Sequence, residues 1–135
     1  MINSNKGQSL IEIVVAVGII ALVLVGVSDL ITRSLSLASY QTKKNQALNI
    51  AQDQLNHFRK FKDQEPLIFF EKPSDYNVCE PGFDTTKYTC AITYSNEVYE
   101  GGVIVGIDMK VSVGWIDGNN NIMTELSQTL AKPRK

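Results

Sequence analysis

Glu12 stands near the start of "SLIEIVVAVGIIALVLVGV", residues 9–27. From Ile13 to Val27 no side chain is polar. A carboxylate beside so apolar a run either reaches water at a boundary or pairs with a cation in a dry core. Cys79 and Cys90 are the only cysteines. Their spacing excludes the Cys-x-x-Cys redox motif and leaves a disulfide or two free thiols. In "DGNNN", Asp117, Asn119 and Asn121 alternate like the first ligands of a calcium loop. Ile122 stands where the mid-loop glycine belongs, however, and no glutamate closes the loop, so the stretch reads as a hairpin turn. His57 is the only histidine and has no ligand-type neighbours at metal spacing, so it reads as a helix-surface residue. There is no phosphate loop, nucleophile–histidine pair or metal cluster. The residues therefore describe a protein that is not an enzyme and takes no cofactor or metal. With 13 basic and 14 acidic side chains, nothing marks a nucleic-acid footprint.

The elements that carry these residues can be read from the pattern. The 135 residues suffice for one modest domain and an anchor. The apolar run, extended by Leu10, Ile11, Leu30 and Ile31, approaches the roughly 20 residues that cross a bilayer. It is too long for a strand, and a helix satisfies its own backbone in lipid. It is also too long for a cleaved secretory signal, and no Ala-x-Ala site follows it. Helical character continues beyond it. Ala47, Leu48, Ile50, Ala51, Leu55, Phe58 and Phe61 recur at spacings of three and four, forming one apolar face. A helix from about Ser9 to Lys62 would be about 80 Å long, so its distal half must belong to an outer domain. Pro66 forbids easy continuation.

Residues 63–86, with three prolines, read as irregular, with "LIFF" tucked against the core. The last third alternates with period two. Tyr88, Cys90, Ile92 and Tyr94 share one side of a first strand. Val103 to Trp115 supply the odd-numbered face of a second, and "NIMTELSQTLAK" makes a third. The expected fold is α+β: a long N-terminal helix, membrane-spanning then amphipathic, packed on a C-terminal antiparallel sheet.

The start of the chain, "MINSNKG" followed by "QSLIEIVVAVGII", resembles a type IV prepilin. It has a short polar leader with a lysine, a glycine, then Leu-Ile-Glu and an apolar run. The "ALNIAQDQLNHFRKFKD" region more loosely resembles minor pilins of the PilV type and GspI-like pseudopilins. The resemblance implies cleavage by a prepilin peptidase after Gly7 and retention of the apolar helix. Gln8 becomes the new N-terminus and the site of N-methylation, unless its side chain cyclises and consumes the amine. Glu12 becomes the acidic residue five places into the mature chain. Two features depart from many major pilins: Gln8 replaces phenylalanine, and Asp29 stands where a helix-bending proline is common.

Several expectations follow from that resemblance. In a water-excluding core the Glu12 carboxylate meets the Gln8 amine of an adjacent subunit, fixing axial register. The divisions are 1–7 leader, 8–32 transmembrane and assembly helix, 33–62 amphipathic continuation, and 63–135 extracytoplasmic loop and sheet. Cysteines outside the cytoplasm favour a Cys79–Cys90 disulfide, which would stabilise by about 3 kcal/mol in the loop-entropy model. The expected partners are prepilin peptidase, other pilin or pseudopilin subunits, an inner-membrane assembly platform, and lipid before assembly. The alternative is a single-pass anchored extracytoplasmic binding module that never polymerises.

Overall fold

The computed structural model describes residues 6–133, with side chains from residue 9 onward. The leader expected over 1–7 thus lies mostly outside the described residues. The element order is α1 (Lys6–Gln64), α2 (Pro66–Glu71), a 3-10 turn (Pro73–Asp75), β1 (Tyr88–Glu100), β2 (Val103–Asp117) and β3 (Asn120–Ala131). The chain divides into two compact units between Tyr40 and Gln41.

In the first unit the helix is apolar and outward-facing. Its large side chains from Leu10 to Leu37 are exposed, Leu22 by 75%. By length and composition the helix is able to cross a membrane. Two of its hydroxyls bond back within the helix: Ser28 Oγ donates to Leu24 O at 2.8 Å, and Thr32 Oγ1 to Ser28 O at 3.0 Å. Asp29 and Arg33 pair at 3.0 Å one turn apart, where polar residues begin to return.

In the second unit, the remainder of α1 packs on a three-stranded antiparallel sheet of order β1-β2-β3. Ala47 and Ala51, both fully buried, let the helix approach closely, and Leu55 and Phe58 extend the contact face. Opposite them lie Ile107, Met109, Val111, Val113 and Trp115 of the central strand, with Ile92 and Leu130 from its neighbours. Burying each large side chain contributes about 1.5–3 kcal/mol. The opposite face of β2 carries Asp108, Lys110 and Ser112, which explains its period-two alternation.

The hairpins are tight. Glu100 pairs with Val103, leaving Gly101 and Gly102 as a two-residue turn with φ of 59° and 81°. This is the geometry that only glycine adopts without strain at both central positions. Asp117 pairs with Asn120 across Gly118-Asn119, so "DGNNN" is a hairpin turn plus the first residues of β3.

Two local readings change. Residues 63–86 are not wholly irregular: Pro66–Glu71 form a helix with Pro66 in its first turn. Proline ends a helix from the inside but opens one readily, because its missing N–H would be unpaired there anyway. That helix buries Phe69 and Phe70 completely or nearly so. Phe69 stacks on Tyr76 and meets Phe61 and Tyr94 edge-on. The first strand also continues past Ser95 to Glu100, through register shifts on either side of Val98. Asn96, at φ 54°, takes the left-handed conformation that permits this.

Candidate functional site

Two places carry the residues singled out above. In the first, the backbone around Gly7 and Gln8 is helical, at the beginning of α1. Glu12 is exposed on the same helix, among exposed Leu10, Ile11, Ile13 and Val14. This is a carboxylate on an apolar helix whose large side chains are exposed. In water such a surface is costly at about 25 cal/mol per Å², so it needs lipid or a partner.

The second place is the loop between the 3-10 turn and β1. Cys79 and Cys90 are joined by a disulfide, with Cα atoms 6.2 Å apart. Beside it stands a residue the sequence reading passed over. Gln54 is buried, 5% exposed, within the apolar face of α1. Its Nε2 donates to Glu80 O at 3.1 Å, and its Oε1 accepts from Glu80 N–H at 2.8 Å. A signal was available: 47, 51, 54 and 58 form one helical row, and Gln54 is its polar member. A buried amide needs partners, and here it finds both on one residue.

His57 Nε2 lies 3.5 Å from Glu80 Oε1, with both side chains about half exposed. Asp84 accepts from the hydroxyl of Thr86 and pairs with Lys87 at 3.1 Å; these contacts, with the Thr86 N–H, hold its carboxyl down to about 2. Burial pushes the Tyr94 phenol well above its usual range, and its hydroxyl donates to Tyr76 O at 2.7 Å. On the outer face of the sheet, Asp108 accepts from Asn96 and Thr129, which lowers its carboxyl pKa. That arrangement ties the irregular part of β1 to β3 through the central strand.

Asp117 is engaged by Lys43 Nζ at 2.7 Å, so the residue that would open a calcium loop instead ties the β2–β3 turn to α1. Tyr88 Oη donates to Gln46 Oε1 at 2.5 Å near the same end. Among the described residues no group of three His, Cys, Asp or Glu is placed to hold a metal ion. The structure therefore does not bring the sequence candidates into one site. Glu12 lies on the apolar helix, Cys79 in the loop, Cys90 on β1 and Asp117 at a turn.

Residues 2–28 match the family model of the prokaryotic N-terminal methylation motif. No curated protein matches the chain, and no solved structure does. The motif covers Gly7, Gln8, Glu12 and the apolar run, and it points to a structural protein. The motif at the head of an exposed apolar helix supports a likeness to type IV pilins over that part of the chain.

Proposed function

We propose that this chain is a minor pilin or pseudopilin, made as a membrane precursor and assembled into a type IV pilus or related pseudopilus. The observation that carries the reading is the methylation motif at residues 2–28, which overlaps the exposed apolar part of α1. Prepilin peptidase hydrolyses the Gly7–Gln8 bond, releasing residues 1–7 and creating an α-amine on Gln8. That amine is the methylation site. The helix over 8–32 holds the subunit in the inner membrane and later in the filament core. Residues 33–62 continue as the amphipathic helix, and 63–135 form the extracytoplasmic loop and sheet. The assembly platform and neighbouring pilin subunits are its partners.

Glu12 has a defined task in this reading. A buried carboxylate and a buried amine are each costly alone and tolerable together. Pairing Glu12 with the Gln8 amine of a neighbour adds little net stability but penalises every wrong register. The plain membrane anchor leaves the motif without a role.

The test is the mass of the mature N-terminus. Protein recovered from membranes or sheared filaments should begin at Gln8, with one added methyl group. An intact Met1 on filament- or membrane-recovered protein would overturn the reading.

A further inference from the structure

The disulfide and the Gln54 clamp act on the same short loop. Glu80, whose main chain Gln54 grips on both sides, directly follows Cys79. Cys79 is tied to Cys90 on β1. One residue is therefore held by the helix and its neighbour by the strand. Both ties remove the freedom of the segment that joins the 3-10 turn to β1. Two constraints on one freedom are coupled. Whichever forms first lowers the entropy that the other must overcome, and the effect is reciprocal.

We propose that the Gln54 clamp is the template for the Cys79–Cys90 bond: it seats the loop on α1 in the reduced chain, so that oxidation closes on a pre-positioned thiol. The chemistry is thiol–disulfide exchange. One cysteine thiolate attacks a sulfur of an external disulfide, such as glutathione disulfide, and displaces one thiolate to leave a mixed disulfide. The second cysteine thiolate attacks the protein sulfur of that intermediate, forms the Cys79–Cys90 bond and expels the second thiolate. Two protein thiols are oxidised, and one external disulfide is reduced to two thiols. The clamp acts on the second, intramolecular step, whose rate and equilibrium depend on how near the two thiols are held. This inference does not depend on filament assembly.

The experiment uses the full chain in detergent micelles, equilibrated with reduced and oxidised glutathione. Alkylation and mass measurement give the fraction of bonded cysteines, and hence the effective concentration of the thiol pair. Gln54→Leu keeps most of the volume and removes both hydrogen bonds without leaving a buried amide behind. It should lower that effective concentration by about tenfold or more, the scale of two main-chain hydrogen bonds. Gln52→Leu, at an exposed position of the same helix, should leave it unchanged. A second measurement reads the clamp without the bond. In a Cys79→Ser, Cys90→Ser chain, the Glu80 amide should exchange slowly with solvent, and adding Gln54→Leu should release it. An unchanged effective concentration in folded Gln54→Leu overturns the proposal. So does a Glu80 amide that exchanges freely in the cysteine-free chain. The latter decides the matter even if Gln54→Leu does not fold.

Discussion

The two parts of α1 share one backbone and differ in what they do with apolar side chains. Before Tyr40, leucines, valines and isoleucines surround the helix and are exposed; Leu10, Val17 and Leu22 are 64%, 60% and 75% accessible. After Gln41 the apolar residues narrow to one face, and Ala47, Ala51, Leu55 and Phe58 are buried on the sheet. The second part finds its partner within the chain. The first has none among the described side chains of its own unit. The lesson is that periodicity separates the two kinds of helix: a stripe predicts an internal partner, and an all-round apolar surface predicts an external one.

The comparison breaks most completely at the leader. Gly7→Val places a branched side chain at the proposed scissile bond. It should leave uncut precursor in the membrane, read as the loss of the mature band on a gel, while the 41–135 unit folds normally. Processing at the wild-type rate would remove the reason for separating the first part of the helix from an ordinary anchor.

Core truncations come next. Phe69→Ala empties a fully buried position in the aromatic cluster and should cost about 3–5 kcal/mol. Leu22→Ala deletes a similar amount of apolar surface from the exposed helix and should leave that unfolding transition within about 0.5 kcal/mol. Urea unfolding in micelles, followed by Trp115 fluorescence, measures both. Equal destabilisation by the two changes would show that the exposed part contributes to the same cooperative unit.

The sheet was legible because Met109, Val111, Val113 and Trp115 meet one buried layer while Asp108, Lys110 and Ser112 meet water. The amphipathic helix was legible for the equivalent reason at its own period. The α2 helix was not, because Pro66 reads as a stop from the α1 side, and a six-residue segment offers too few turns to show a period. The continuation of β1 was hidden because the shifts around Val98 break the alternation on which strand recognition depends. Gln54 escaped notice because a single glutamine in a helix is unremarkable until its row is seen to be buried. What it binds is set by a loop 26 residues away, which no local pattern encodes.

Smaller effects sharpen the account of the folded unit. Lys43 and Asp117 are both partly exposed, so their 2.7 Å contact is discounted for solvent. Lys43→Met should cost no more than about 1 kcal/mol, with the wild-type margin shrinking at high salt. The smallest effect is a pH dependence. Asp84 is held down to about 2 from an ordinary 3.8, so the folded state releases its proton more readily than the unfolded chain. Its contribution is fully present above the ordinary value and is lost as pH falls toward the lowered one. Because the group is exposed, only a slight slope is expected. Asp84→Asn should flatten the stability profile between about pH 4 and pH 2. A profile unchanged by that substitution would show that the contacts to Thr86 and Lys87 contribute nothing.

The central claim is that the exposed part of α1 finds its partner in other subunits, with Glu12 setting the register. The direct measurement is the ratio of filament-bound to membrane-bound protein for wild type, Glu12→Gln and Glu12→Ala, with the N-terminal mass recorded to show that the Gln8 amine is present. Removing one side of a buried charge pair costs about 3–5 kcal/mol. Glu12→Ala should therefore lower incorporation about a hundredfold or more, since each 1.4 kcal/mol is tenfold. Glu12→Gln, which still accepts a hydrogen bond, should fall between. Unfolding of the 41–135 unit should be the same in all three. Normal incorporation of Glu12→Ala with an intact Gln8 amine would show that the carboxylate only reaches water at the membrane surface, and the register account would fail.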